Sequence, residues 1–217
     1  MTPFSYSRLN SFEECPKKFH QVQIVKAFKE KESEQMTYGS EVHKALELRL
    51  ARGKPLPLHL SHLGSLMDTL ESGPGTKMTE QRMAITADYT PTDWFAKDVY
   101  CRAIADLIIT NGSRGAIFDY KTGKMSDDFT QMRLTGAVFM HHAPEIDTLD
   151  LAFVWIKDKK VTRQRMTRED VPSIWSSLLP RVDRYQAAFD KVEFPPRQGR
   201  YCRWCPVESC PYWSASR

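Results

Sequence analysis

A mixed α/β fold, with helices flanking a mixed sheet, is what this sequence predicts, and three observations carry that prediction. Apolar residues recur at helical spacing in four separate stretches. Short alternating stretches bounded by turn residues lie between them, first a group of three and then a pair. Helix and strand patterns therefore interleave along one chain, the order expected of a sheet covered by helices.

The first helix is expected over Tyr38 to Arg52, where Val42, Ala45, Leu46 and Leu50 share a face and Gly53-Lys54-Pro55 supplies the stop. A shorter one is expected from about Leu56 to Leu70, broken by Ser72-Gly73-Pro74-Gly75. An antiparallel meander should follow: Met83-Ile85-Ala87, then Tyr100 to Ile109, then Ala116-Ile117-Phe118, with Asn111-Gly112-Ser113 as the last turn. Met132, Leu134, Val138 and Phe139 predict a helix from Phe129 to His142, ended by Pro144. Leu149 to Ile156 and Val161 to Met166 read as two strands across Asp158-Lys159-Lys160. Thr167 to Val192 reads as a long helix opened by a Thr167/Asp170 capping arrangement. From Glu193 onward the tail is rich in Pro, Arg and aromatics without periodicity, so something besides a hydrophobic face must hold it.

The 217 residues, 41% hydrophobic and 27% charged, suit one domain of ordinary composition. No apolar run reaches about 18 residues, and Met1-Thr2-Pro3-Phe4 does not open a secretory signal, so an intracellular, cytoplasmic location is expected, in the host cell if the source is viral. A net charge of +4 is compatible with a polyanionic partner and decides nothing by itself.

Two carboxylates and a lysine carry the chemistry. Asp106 is a charged residue in the apolar strand Ile104-Ala105-Asp106-Leu107-Ile108, an expensive placement unless it is paired or metal-bound. Asp119-Tyr120-Lys121 ends the next strand, so a hairpin can bring both carboxylates to one sheet position, with Lys121 on the same face as Asp119. Such a set suits a divalent cation that polarises a phosphate, with the ammonium orienting water. An isolated Asp-Tyr-Lys is more often a strand end followed by a solvated turn.

Cys202, Cys205 and Cys210 give Cys-x2-Cys-x4-Cys, and Cys15 offers a distant fourth thiolate; Cys15, Cys205 and Cys210 each precede a proline. This spacing suits either Zn²⁺ or one corner-ligated iron–sulfur cluster. Either would tie residues 1-35 to 193-217 as a cysteine-cluster subregion, with a structural role. Tyr201, Trp204, Tyr212 and Trp213 are placed to shield the centre. Cys101, within a strand, reads as a small core residue. Lys17, Lys18 and His20 beside Cys15, and Arg197, Arg200 and Arg203 beside the other cysteines, would be gathered into a basic DNA-binding patch, with Tyr201 or Phe19 free to stack on a base.

Taken in order, these residues resemble the RecB-like branch of the PD-(D/E)XK nucleases, including the CRISPR-associated exonucleases with four cysteines and the AddB nuclease domain. Ser5-Tyr6-Ser7-Arg8-Leu9-Asn10 to Cys15-Pro16 is similar to the family's opening segment, Gly39-Ser40-Glu41-Val42-His43 to its Gly-x-x-x-His, and Glu80 to its early glutamate. Ile104-Ala105-Asp106, Asp119-Tyr120-Lys121-Thr122, Gln131 and the late cysteines match its remaining marks. The resemblance implies a restriction-endonuclease-like fold over 1-217 and a divalent metal, Mn²⁺ or Mg²⁺, on His43, Asp106, Asp119 and the Tyr120 carbonyl, with Glu80 assisting through water. It also implies Lys121 acting on the attacking water, Gln131 orienting the lysine or the phosphate, and a [4Fe-4S] cluster in place of zinc. Two positions depart from the family: Thr135 stands where a tyrosine is usual, and the last cysteine gap is one residue short. The expected activity is a metal-dependent DNA exonuclease acting on single strands or DNA ends. The alternatives are a subunit, monomeric or oligomeric, whose trimming depends on helicase, CRISPR or recombination partners, and a DNA-end-binding module without catalysis. Asp106, Asp119 and Lys121 being all present argues against the last.

Overall fold

The computed structural model describes residues 1–30 and 33–213. Contacts divide the chain into two compact units, Ser33–Trp175 and a terminal unit of Met1–Glu32 with Ser176–Arg217.

The Ser33–Trp175 unit is built on a six-stranded mixed sheet of order β2-β1-β3-β4-β5-β6. Its strands are β1 (Thr76–Ile85), β2 (Pro91–Thr92), β3 (Cys101–Asn111), β4 (Arg114–Lys121), β5 (Thr148–Trp155) and β6 (Lys160–Thr167). The expected meander is present as antiparallel β1, β3 and β4, turned at Asn111-Gly112 with Gly112 at φ 59°. β5 then returns parallel to β4, reached through the helix α5 (Thr130–His142), and β6 closes the sheet antiparallel to β5. A parallel return needs a crossover connection, and α5 supplies it. The architecture is that of the restriction-endonuclease-like fold.

The helix α3 (Glu34–Arg52) starts on Ser33, whose hydroxyl accepts the Met36 amide at 3.3 Å, and stops at Gly53 in the left-handed conformation. Its Val42 and Leu46 are buried with Leu60, Leu63 and Met67 against Leu107, Tyr120, Val154 and Ile156 of the sheet. The short helix expected from Leu56 is a 3-10 turn over Leu58–Leu63 followed by α4 (Gly64–Ser72). β1 begins earlier than Met83: its Lys77 and Glu80 have little intrinsic strand preference and its apolar alternation is weak, and pairing with β3 along nearly its whole length overrides propensity. Two-residue β2 has no periodicity to read and escapes the sequence pattern.

In the terminal unit lie α1 (Tyr6–Glu14), α2 (Pro16–Phe19) and, from Ser176 on, most of α6 (Val171–Asp190). Thr167 and Asp170 form the expected capping box before α6, with the Thr167 amide donating to Asp170 Oδ2 at 2.7 Å. The subregion expected over 1-35 and 193-217 includes residues 31–32 and 214–217, which lie outside the described residues. Its described part is held by more than cysteines: Phe12, Phe19, Tyr185 and Phe189 meet edge to face or tilted, and Phe194 packs on Phe189 at 5.1 Å. The tail therefore does carry an apolar anchor, on Phe194. Among the described residues no helix is long and apolar enough to cross a membrane.

Candidate active site and cysteine centre

Asp106 sits where both of its strand ladders break. Towards β4 the register ends at Leu107↔Phe118, one step before Asp106 would face Asp119, and Asp106 Oδ2 instead accepts the Tyr120 amide at 2.7 Å. Towards β1 the pairs Thr79↔Leu107 and Gln81↔Ala105 leave Glu80 and Asp106 unpaired, and Glu80 adopts φ 48°. A left-handed non-glycine residue costs about 1–2 kcal/mol. Here it re-aims a carboxylate.

The third group comes from α3. His43 Nδ1 lies 3.2 Å from Asp106 Oδ1, with its ring edge-on to Tyr120 at 6.0 Å between centroids. One helical turn before it, Gly39 permits a close approach to the end of β4, since a Cβ there would stand 3.2 Å from Thr122 Oγ1. His43, Glu80 and Asp106 each offer a donor atom within 4.8 Å of the others. Asp119 stands outside this trio.

Asp119 is only 8% exposed. Its Oδ1 accepts from Gln131 Nε2 at 3.2 Å, while Oδ2 lies 2.7 Å from Lys121 Nζ yet has no aligned hydrogen bond. Lys121 Nζ donates to Gln131 Oε1 at 3.1 Å and lies 5.3 Å from the Phe153 ring centroid. Gln131 thus links the two groups from α5. Phe153 was not legible in advance, because its place beside Asp119 follows only from the β4–β5 register.

Electrostatics follow from this crowding. Burial pushes the Asp119 carboxyl up to about 6, opposed by Lys121 and reinforced by Asp106. The hydrogen bond that His43 donates to Asp106 raises the imidazole against the opposing effect of burial, reinforced by the charges of Asp106 and Asp119. Glu80 is raised by partial burial and by Asp106. Three carboxylates face only the Lys121 ammonium and one imidazole, so negative charge is in excess, and Asp119 Oδ2 is left without an aligned donor. The oxygen and nitrogen donors present fit a divalent cation.

All four paired-spacing cysteines occur in the terminal unit. Cys15 is the junction of α1 and α2, and Cys202 opens a 3-10 turn whose C-cap is Cys205. Cys15, Cys202, Cys205 and Cys210 line one cavity of about 50 Å³ together with Tyr212 and Trp213. The Arg197 amide donates to Cys15 Sγ at 3.4 Å and the Gly199 amide to Cys202 Sγ at 3.3 Å. Burial raises the Cys205 thiol, and Cys101 is a fully buried core residue of β3.

The expected basic patch is partly neutralised. Lys18 pairs with Glu30 at 2.7 Å, Arg197 Nη1 donates to the Glu13 carbonyl at 2.6 Å, and Lys17 Nζ reaches the Ser209 carbonyl at 3.5 Å. Arg200 lies over Tyr201 at 4.7 Å and Arg203 over Trp204 at 3.8 Å. One expectation fails here: Phe19 is wholly buried among Phe12, Tyr185 and Phe189 and presents no face to a base. His20, partly buried, is stacked on Phe194 at 4.1 Å. Trp204, unlike Tyr201, Tyr212 and Trp213, does not line the cysteine cavity. Thr135, at the position of the family's usual tyrosine, is buried and donates to the Gln131 carbonyl at 3.0 Å.

Comparison with known families decides the affiliation, since the sequence model of the PD-(D/E)XK nuclease superfamily matches residues 3–211. The chain belongs to that superfamily. Among solved structures, this PD-(D/E)XK chain resembles an exonuclease candidate from Eubacterium rectale, at 13% identity and a TM-score of 0.51 over 95% of this chain and 85% of that one. The crystal structure of SSO0001 is also similar, at 13% identity and a TM-score of 0.46 over 99% and 89%. At 13% identity the likeness to the Eubacterium rectale structure concerns the fold alone. No curated protein sequence gives a significant match.

Proposed function

We propose that this PD-(D/E)XK chain is a divalent-metal-dependent deoxyribonuclease of the RecB-like branch that shortens DNA from its ends. One observation carries the reading: His43, Glu80 and Asp106 converge within 4.8 Å beside a buried Asp119 whose neighbours are Lys121 and Gln131. His43, Asp106, Asp119 and the Tyr120 carbonyl would hold the cation, with Glu80 close enough to join them directly or through water. The imidazole favours Mn²⁺ beside Mg²⁺. When bound, the cation polarises the phosphate and lowers the pKa of a coordinated water.

The chain's own groups do the remaining work. Hydrolysis forms one P–O bond to the water oxygen and breaks one to the leaving sugar oxygen. Lys121, fixed by Gln131 Oε1 and Asp119, presents its ammonium where it orients the water and offsets charge growing on the phosphate. His43 is aligned by Asp106, and Asp106 by the Tyr120 amide. Phe153 beside Lys121, backed by Phe129, lowers the local dielectric and strengthens these interactions.

For the cysteine centre the supporting geometry is the shared cavity and the two amide–sulfur hydrogen bonds. A single zinc at about 2.3 Å from each of four thiolates draws the sulfurs to about 3.8 Å apart. A [4Fe-4S] cluster, in which each sulfur has its own iron, is the centre that the RecB-like resemblance implies in place of zinc. Its role is to fasten Cys15 to the tail, and Lys17, Lys18, Arg197, Arg200, Arg203 and Tyr201 around it contribute to holding DNA. DNA is the partner the reading requires.

Anaerobically purified protein, given end-labelled single-stranded DNA and Mn²⁺, should produce a ladder of shortened products. Asp119→Ala and Lys121→Ala should each lower the rate by about 10²-fold or more. Wild-type protein that binds DNA and leaves it whole with every metal and end type would withdraw the enzyme reading for the isolated chain in favour of a DNA-end-binding module or a partner-dependent subunit.

A further inference from the structure

A second surface of the Ser33–Trp175 unit leads away from the carboxylates. Along β3, Arg102, Ile104 and Asp106 alternate with buried Cys101, Ala103, Ala105 and Leu107, so the three share the accessible face, and exposed Arg82 of β1 is registered against Ile104. Ile104 is 43% exposed although β3 lies inside the sheet. Beside it Trp94 is flanked by two cations, Arg82 at 5.7 Å and Arg102 at 5.4 Å from the ring centroid, and Arg102 Nε fixes the loop by donating to the Trp94 carbonyl at 2.9 Å. The next residue, Phe95, is 83% exposed on a turn closed by the Ala96 amide and the Asp93 carbonyl at 3.0 Å. Among the described residues neither arginine forms a salt bridge. Asp98 of the same loop is engaged by the Thr92 hydroxyl at 3.2 Å.

Single exposed aromatics are ordinary. An exposed ring next to a rigid arginine–tryptophan–arginine stack is a different matter, because unpaired nucleic acid is held by ring faces for bases and cations for phosphates. The stack lies on the face that carries Asp106, and Arg102 is four residues along the strand, about 13 Å away. We propose that Arg82, Trp94, Phe95 and Arg102 form a track for unpaired DNA, in which Phe95 stacks on a base and the arginines face phosphates a few nucleotides from the metal site. This rests on the deoxyribonuclease reading and names the form in which the substrate reaches that centre.

The test is equilibrium binding of fluorescent oligothymidylate to the full chain without added divalent metal, so that no cleavage enters, for wild type, Phe95→Ala and Arg82→Gln. Phe95→Ala should weaken binding about tenfold. Arg82→Gln should lower the slope of log affinity against log salt by about 0.7, the value of one phosphate contact on a single strand. Equal losses on a duplex of the same length would overturn the assignment to unpaired DNA. Unchanged affinity and slope in both variants, or wild type that does not bind the oligonucleotide, would overturn the track itself. Hydrolysis measured separately keeps the two readings apart: cleavage by a wild type whose binding ignores both substitutions removes the track alone. Binding that responds without any cleavage removes the nuclease reading alone. Thermal midpoints within about 2 °C of wild type, expected of exposed positions, exclude misfolding as the cause.

Discussion

Burial holds the Asp119 carboxyl at about 6 in the fold, against about 3.9 in an unfolded chain. The sign follows directly. A carboxyl whose folded pKa is raised favours the native state at low pH and withdraws that support as pH rises through about 6. The withdrawn stability is on the order of 2–3 kcal/mol, at about 1.4 kcal/mol per pKa unit. In chelated buffer at pH 8, Asp119→Asn should therefore melt above wild type, and the two midpoints should converge near pH 4. A variant no more stable than wild type at pH 8 would show that Lys121 already neutralises the site. Saturating Mn²⁺ should reverse the order, because the asparagine lacks the charge the cation needs. Glu80 belongs to the same scale: its φ of 48° is local strain beside Asp106, in keeping with strained backbone at functional positions.

At the scale of elements, α3 is what carries His43 to the sheet, and it is held by Val42 and Leu46 rather than by the histidine. Leu46 is fully buried against the sheet core. Leu46→Ala should cost about 2–5 kcal/mol in a denaturant titration, from lost transfer energy and the cavity left behind. Loss below about 1 kcal/mol would mean that α3 is not anchored there. Helix periodicity made α3 and α5 readable, since Val42 and Leu46, or Met132 and Val138, repeat at a spacing that only one helix face can satisfy. β2 and the start of β1 were not readable, because two residues have no period and Lys77 to Gln81 favour a strand only when β3 offers its ladder.

At the scale of the whole molecule, the two chain ends share a unit built on an aromatic cluster and four cysteines. If a [4Fe-4S] cluster fills that cavity, anaerobic protein should be brown and carry about four irons per chain. Cys202→Ala should lose the colour, and proteolysis should then release residues near 193–213 first, since the metal–sulfur bonds are part of what folds this unit. One zinc per chain with no visible absorbance would replace the cluster by a zinc staple. A colourless, metal-free wild type with protected ends would remove both and leave Phe12, Phe19, Tyr185, Phe189 and Phe194 as the fastening.

The sequence by itself determined which residues could do chemistry. Asp106 is costly in an apolar strand unless it is paired or metal-bound, Lys121 shares a face with Asp119 by strand alternation, and Cys202, Cys205 and Cys210 have a spacing that suits metal ligation. These are properties of local period and composition, which the chain carries before it folds. Only the tertiary structure decided which of them meet: that the ladders part at Asp106, that Glu80 turns left-handed to join His43 there, that Phe19 is core and not platform, and that Arg82 and Arg102 clasp Trp94. Those outcomes depend on strand register and on packing between segments distant in sequence, where the free energy lies in pairs of residues and not in any one stretch.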